Sequence, residues 1–189
     1  IKAEDICVSN PSQGKLDALK AEFPAMQVTH SNVEAAQNAD IVLLAVKPWY
    51  IEPVIKELPL DTEKQILVSV AAGISFEQYE GWVGEKMPVF RVIPNTAISQ
   101  LESMTLIASH HADKEQEQLL LDIFNEMGLA LLIPEKQLSI KLLILFIFDM
   151  YIPTQFPQFL FIVIISGISL NGGLYLHIIV KLFEVDSFF

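Results

Sequence analysis

The stretch IVLLAVKPWY, residues 41–50, is the most informative short segment of the chain. Its first six residues are all apolar, which does not suit a strand with one face in water. Such a run is typical of the centre of a parallel sheet that helices cover on both faces. Lys47 and Pro48 end the run, and Pro48 suits the first turn of a helix because that turn does not use its missing N–H.

Short apolar runs alternate with segments of helical periodicity on both sides of this strand. The other predicted strands cover residues 5–9, 26–30, 65–73, 88–93, 104–109 and 129–134, and the predicted helices cover 11–23, 32–37, 48–58, 75–83 and 113–128. This alternation predicts an α/β fold with a doubly wound, Rossmann-like parallel sheet. Asn32 is predicted to cap its helix, and Pro53 to kink or split the helix that begins at Pro48.

Charge and cysteine content limit the classes of protein and partner. The formal net charge is −11, which disfavours binding to nucleic acid. The single cysteine, Cys7, excludes an internal disulfide, indicates a reducing compartment and is interpreted as a small core residue. The first ten residues lack the order of a signal peptide. A cytoplasmic protein without a nucleic-acid partner is therefore expected.

The chain changes composition at Ser139. Residues 139–189 contain eight of the twelve phenylalanines, and no charged residue lies between Asp149 and Lys181. The sequence therefore predicts two parts, a domain of residues 1–138 and a hydrophobic, helical tail of residues 139–189. Residues 159–180 form an uncharged run of 22 residues, and a membrane-spanning helix needs about 20. Three interpretations of the tail stay open: a misread reading frame, a membrane-spanning segment that would tether the chain, and a buried helical domain.

Polar or small residues follow three of the predicted strands, at SNPS (9–12), AVKP (45–48) and AAG (71–73). Ligands of doubly wound sheets bind at the carboxyl ends of the strands. NAD-binding sheets place Asp or Glu at the strand end where Ser9 and Asn10 stand here. Hydroxyl, amide and ammonium groups can donate to a ribose 2′-phosphate that an acid would repel. This pattern favours NADP over NAD.

These segments, together with HSN (30–32), VSVAAGIS (68–75) and RVIPNT (91–96), resemble in order and spacing the cofactor domain of pyrroline-5-carboxylate reductases. The resemblance covers residues 1 to about 138. It implies cofactor-binding roles for Ser9, Asn10, Asn32, Ala45, Val46, Lys47, Pro48, Ala71, Ala72 and Gly73, and places Asn95 and Thr96 near the nicotinamide and the substrate. It assigns no catalytic residue and no metal.

The resemblance implies NADPH-dependent reduction of 1-pyrroline-5-carboxylate, a cyclic imine carboxylate, to proline, an amino-acid biosynthetic step, with NADH as the alternative cofactor. The family begins with a further strand and a Gly-rich phosphate loop, and it continues into a helical domain that forms the dimer. Neither is found in this sequence, so impaired activity is expected. Two alternatives remain: a non-catalytic dinucleotide-fold binding or interaction module, and another reductase of β-hydroxyacids or imines.

Six further residues have competing interpretations. Trp49 and Tyr50 are expected to pack the start of a helix rather than shelter a ligand ring. Arg91 is expected at a strand edge or an interface. Asn95 is either a turn residue or a substrate neighbour. His110 and His111 are not expected to bind metal, because adjacent residues on a strand point to opposite faces and no cysteine or carboxylate is evident beside them.

Overall fold

The computed structural model describes residues 1–138 and 161–165 of the 189-residue chain. The strands are β1 (Ile6–Ser9), β2 (Gln27–Thr29), β3 (Ile41–Ala45), β4 (Ile66–Ser69), β5 (Val89–Ile93), β6 (Ser103–His110), β7 (Gly128–Leu132) and β8 (Phe161–Ile165). The helices are α1 (Gln13–Glu22), α2 (Asn32–Ala36), α3 (Pro48–Glu57), α4 (Phe76–Val83) and α5 (Lys114–Asn125), with 3-10 turns at Ala3–Asp5 and Thr96–Gln100.

The strands form one sheet in the order β2-β1-β8-β3-β4-β5-β6-β7. β1 is parallel to β2, and β3, β4 and β5 are mutually parallel, which confirms the doubly wound α/β prediction. β6 departs from it, since it runs antiparallel to β5. The reason is the connection: residues 94–102 contain only a 3-10 turn, and a parallel pairing needs a crossover of a dozen or more residues.

The strand β3 explains why the apolar run at residues 41–46 is needed. All five of its residues are buried. Ile41, Leu43 and Ala45 pack into one hydrophobic cluster, whereas Val42 and Leu44 pack into another. Because successive side chains of a strand point to opposite faces, the two clusters lie on opposite faces of the sheet. The prediction of a strand covered on both faces is confirmed.

The predicted cap of α2 is wrong, and so is the predicted split of α3, whereas a kink at Pro53 stays a prediction. The residue that caps α2 is Ser31, whose Oγ accepts from the backbone N–H of Glu34, and Asn32 is the first helical residue. Pro53 does not split α3, which runs unbroken from Pro48 to Glu57. Pro53 and Trp49 are both exposed, so water can satisfy the Trp49 carbonyl that a proline four residues later leaves without its helical donor.

The tail is described only at β8, where Phe161–Ile165 form a strand antiparallel to both β1 and β3. The prediction of a helical tail is therefore wrong at these five residues. For residues 139–160 and 166–189 it lies outside the described part of the chain, as does most of the apolar run at 159–180. Among the described residues, no helix has the length and apolarity to cross a membrane.

Candidate functional site

A cavity of about 300 Å³ lies at the carboxyl ends of β1 and β3, where the strand order reverses direction. This is the place where doubly wound sheets bind ligands. Ser9 ends β1, Asn32 begins α2, and Val46 follows β3, so three segments distant in sequence meet there. The lining includes Ser9, His30, Asn32, Val46 and Tyr50.

A hydrogen-bond chain fixes the polar wall of this cavity. The buried Ser9 hydroxyl donates to Asn32 Oδ1 at 2.7 Å. Asn32 Nδ2 in turn donates to the carboxylate of Glu57, the last residue of α3. The Asn32 amide therefore links the end of β1 to the end of α3, which is a positioning role that helix capping would not provide.

His30 brings the two nitrogens of its imidazole ring to the same cavity. Its Nδ1 lies 2.9 Å from the Asn10 carbonyl oxygen, and its Nε2 lies 2.8 Å from Gln13 Oε1. The amide nitrogen of Gln13 donates to Asp17 at 2.8 Å, which orients the Gln13 oxygen toward His30. Both ring nitrogens thus lie within hydrogen-bond distance of an oxygen atom, so the ring N–H has an acceptor in either tautomer. A ring N–H on this wall can donate to an anionic ligand.

A second cavity, of about 350 Å³, lies between the segment that follows β4, the strand β5 and the segment after β7. Gly73, Ser75, Arg91 and Glu135 are among its lining residues. Arg91 Nη1 donates to Glu135 Oε1 at 2.8 Å, and the same oxygen accepts from the Phe76 N–H at the start of α4. The Arg91 side chain is 9% exposed, and its Nε has no partner among the described residues.

The expectation that Arg91 lies at a strand edge is wrong. β5 is paired with β4 on one side and β6 on the other, so Arg91 belongs to the interior of the sheet. A buried guanidinium needs a charged or polar partner. Glu135, 44 residues away in sequence, supplies it, and this distance explains why the pair was not recognised from sequence.

The turn after β4 is held by a buried hydroxyl pair. Tyr79 donates to Ser69 Oγ at 2.6 Å, and that oxygen also accepts from the Ala71 N–H at 3.2 Å. Burial raises the pKa of the Tyr79 hydroxyl, which keeps the donor protonated. Gly73 follows with a φ of +81°, which side chains rarely adopt. The turn beside the second cavity is thus fixed from within the core.

The predicted cofactor residues divide between cavity walls and supporting positions. Ser9, Asn32 and Val46 line the first cavity, and Gly73 lines the second. Asn10 is 1% exposed, and its Oδ1 accepts from the Ser12 N–H in the turn after β1. The remaining positions border the strand ends without lining either cavity: buried Ala45 and Ala71, exposed Ala72, and half-buried Lys47 and Pro48.

Asn95 acts in the turn between β5 and β6. Its Oδ1 accepts from the Met104 N–H at 3.1 Å, and its own N–H donates to Ser103 Oγ at 3.3 Å. The turn interpretation of Asn95 therefore has direct structural support. Asn95 and the neighbouring Thr96 are half-buried and line neither cavity. Their proximity to nicotinamide and substrate stays a prediction.

Three features of the site were missed from sequence. His30 was grouped with its neighbours but given no role, although a histidine beside a serine and an asparagine at a predicted strand end is a usable signal. Tyr50 lines the first cavity. Trp49 and Tyr50 are 67% and 49% exposed, and the Trp49 ring lies against Tyr50 and Lys47 at the helix start. The carboxylate beside the two adjacent histidines was also missed, because Glu80 Oε2 lies within 3.4 Å of both His110 and His111.

Comparison with known proteins agrees with this geometry. Residues 1–73 match a family described as NADP oxidoreductase, coenzyme F420-dependent. The mouse pyrroline-5-carboxylate reductase 3 is 34% identical over 142 residues, which cover 74% of this chain and 51% of that protein. The chain therefore spans about half the length of the curated relatives it matches.

Solved structures show the same likeness. The pyrroline-5-carboxylate reductase of Coxiella burnetii has a TM-score of 0.64 and 33% identity, with 69% of this chain and 50% of that chain covered. The pyrroline carboxylate reductase of Plasmodium falciparum, solved with NADP bound, has a TM-score of 0.63 and 26% identity, with 67% and 49% covered. Over about 70% of its length, the chain is thus similar in both sequence and fold to the pyrroline-5-carboxylate reductases.

Proposed function

We propose that residues 1–138 form the NADP(H)-binding domain of an enzyme that reduces 1-pyrroline-5-carboxylate to proline. The similarity to pyrroline-5-carboxylate reductases supports the reaction, and the NADP bound in the Plasmodium relative supports the cofactor. The single observation of this chain that carries the proposal is the first cavity, which lies at the strand-order reversal and has His30, Ser9 and Asn32 on its wall.

The residues of the first cavity fit the adenosine end of a phosphorylated dinucleotide. The end of β1 carries Ser9 and Asn10 rather than an acid, so no carboxylate there would repel a 2′-phosphate. The exposed Gln13 oxygen is the acceptor for His30 Nε2. A ligand phosphate can replace it, because a charge-assisted hydrogen bond is stronger than one to an amide oxygen.

One residue supports the alternative cofactor, NADH. The Glu57 carboxylate bonds the Asn32 amide at the edge of the same cavity. A carboxylate in this position can accept from a ribose hydroxyl and would repel a 2′-phosphate. The relative affinity for NADPH and NADH therefore depends on the opposing effects of His30 and Glu57 on a 2′-phosphate. Substitution of either residue tests its effect.

The remaining roles follow from this proposal. Ala45, Val46, Lys47 and Pro48 would flank the cofactor after β3, and Ala71, Ala72 and Gly73 after β4. When bound, the reduced nicotinamide supplies hydride to the imine carbon, and the protein contributes binding and orientation. Asn95 and Thr96 would lie near the reacting groups. The division of the chain after Leu138, a cytoplasmic location and a cyclic imine carboxylate as substrate belong to the same proposal.

The proposal is tested by NADPH consumption in the presence of 1-pyrroline-5-carboxylate, with proline measured as the product. Consumption that depends on the imine and yields one proline per NADPH is the expected result. NADPH binding without imine-dependent consumption would contradict the reductase and favour the non-catalytic dinucleotide-binding module. Absence of any dinucleotide binding would contradict the domain assignment itself.

A further inference from the structure

Glu80, His110 and His111 place three potential metal ligands together, and none of the three lines either cavity. Glu80 Oε2 lies 2.7 Å from His110 Nε2 and 3.4 Å from His111 Nε2. One ligand atom from each of the three residues can be chosen so that all three atoms lie within 4.8 Å of one another. Glu80 belongs to α4 and His110 ends β6, so the cluster joins a helix to the end of a strand.

The backbone of His111 brings the two imidazoles to the same side. Adjacent strand residues would point in opposite directions, but His111 has a φ of +55°, in the left-handed region that non-glycine residues rarely adopt. The two ring centroids are consequently 3.9 Å apart. Strained backbone of this kind costs about 1–3 kcal/mol and is concentrated at functional sites. The expectation that the His110 and His111 side chains point to opposite faces is therefore wrong.

The donor spacing is close to what a tetrahedral transition-metal ion requires. Metal–ligand bonds of about 2.0–2.1 Å at tetrahedral angles put two donor atoms about 3.3–3.4 Å apart. The distance from Glu80 Oε2 to His111 Nε2, 3.4 Å, already has this value. The distance from Glu80 Oε2 to His110 Nε2, 2.7 Å, is a hydrogen bond that has to lengthen by about 0.6–0.7 Å to reach the same spacing.

The surroundings hold one ligand and leave room for a solvent ligand. The His110 ring stacks on Phe76 with centroids 5.1 Å apart and planes inclined by 14°. The side chains of Glu80, His110 and His111 are each about one-third exposed, at 34%, 33% and 38%. Three protein ligands with a fourth, water-accessible position is the arrangement of His₂Glu zinc sites.

We propose that Glu80, His110 and His111 form a binding site for a divalent transition-metal ion of the Zn²⁺ class. Two imidazoles and one carboxylate suit Zn²⁺ far better than Mg²⁺, which requires octahedral coordination by oxygen. The bound ion clamps α4 to the end of β6. The site is independent of the dinucleotide cavity and of the proposed reductase activity.

The test is a Zn²⁺ titration of the full chain from which a chelator has first removed metal. Binding is measured by calorimetry and by competition with a chromophoric chelator. We expect one Zn²⁺ per chain. His111→Ala, His110→Ala and Glu80→Gln each weaken Zn²⁺ binding by at least about 10-fold, since even residues behind a ligand contribute that much. Glu77→Gln, on the same helix, and His30→Ala are matched controls that leave the affinity unchanged.

A second measurement separates ligation from folding. Co²⁺ bound to the wild-type chain gives the visible spectrum of a four-coordinate site, and His111→Ala abolishes it while circular dichroism shows an intact fold. If His110→Ala does not fold, the variants His111→Ala and Glu80→Gln provide the test. Three results would overturn the proposal. They are the absence of saturable Zn²⁺ binding, a loss of Zn²⁺ affinity in Glu77→Gln or His30→Ala equal to that in the ligand variants, and an unchanged affinity in both His111→Ala and Glu80→Gln.

Discussion

Removal of Glu135 is expected to destabilise the domain, because it leaves the buried charge of Arg91 without its partner. The Arg91 side chain is 9% exposed and that of Glu135 is 37% exposed, with 2.8 Å between Nη1 and Oε1. Breaking a fully buried ion pair costs about 3–5 kcal/mol. Because Glu135 is partly hydrated, the expected cost of Glu135→Ala is nearer to about 2 kcal/mol.

The assay is urea and thermal unfolding of a double-mutant cycle built from Glu135→Ala and Arg91→Met. A loss of about 2 kcal/mol corresponds to a fall in Tm of roughly 4–8 °C for a domain of this size. Part of the loss arises at α4, because Glu135 Oε1 also accepts from the Phe76 N–H. Only the contact with Arg91 contributes to the coupling energy, which should therefore be below the full loss, at about 1 kcal/mol, and the double variant should lose less than the sum of the two single variants.

The surface pair of Glu52 and Lys56 provides the control. Its N–O distance is 2.6 Å, but the two side chains are 46% and 62% exposed. Glu52→Ala should cost at most about 0.5 kcal/mol. If Glu135→Ala costs no more than Glu52→Ala, or if the coupling energy is near zero, burial of the Arg91 charge does not have the energetic weight assigned to it.

Three further predictions concern single positions. Gly128→Ala should lower the free energy of unfolding by more than about 4 kcal/mol, because a Cβ there would lie 2.1 Å from a backbone oxygen of β6. Gly84 has a φ of +86° but open space around it, so Gly84→Ala should cost about 1–3 kcal/mol. Equal costs in urea unfolding would refute the clash. Tyr79→Phe should cost about 1 kcal/mol at neutral pH. Burial raises the pKa of the Tyr79 hydroxyl. The stability that this hydroxyl contributes is therefore complete below its ordinary pKa of 10.0 and is lost as pH rises through the raised pKa. A stability difference between wild type and Tyr79→Phe that does not depend on pH would contradict this. Hydrogen bonds from the two histidines lower the pKa of Glu80. With metal removed by a chelator, wild type should therefore be more stable than Glu80→Gln above the ordinary pKa of 4.5, and the difference should vanish as pH falls through the lowered pKa. A stability difference that grows in acid would refute this sign.

The parts of the fold that could be predicted from sequence are those set by local pattern. The run at residues 41–46 predicts β3 because burial on both faces requires apolar residues at every position. Pro48 and Ser75 predict the starts of α3 and α4 because first-turn chemistry depends on neighbouring residues alone. The carboxyl-end rule places Ser9 at the first cavity, whereas Asn32, which lines the same cavity, was indicated only by the family resemblance.

The parts that could not be predicted depend on contacts distant in sequence or on one backbone torsion. Ser31 and Asn32 are both competent caps, and only the extended backbone of Ser31 decides between them. The antiparallel direction of β6 depends on a connection without a helix. The pairing of Glu80 with His110 and His111 needs both a contact across 30 residues and a left-handed residue, and no periodicity reveals either.

We propose that the first cavity holds the 2′-phosphorylated adenosine of NADP(H). The most direct test compares the binding of two fragments of the cofactor. Calorimetric titration with 2′,5′-ADP and with 5′-AMP isolates the contribution of the 2′-phosphate. We expect 2′,5′-ADP to bind about 10-fold more tightly than 5′-AMP, the value of one charge-assisted hydrogen bond. His30→Ala should remove this advantage, and Glu57→Gln should increase it. Equal affinities for the two fragments, or a His30→Ala variant that retains the full advantage, would contradict it.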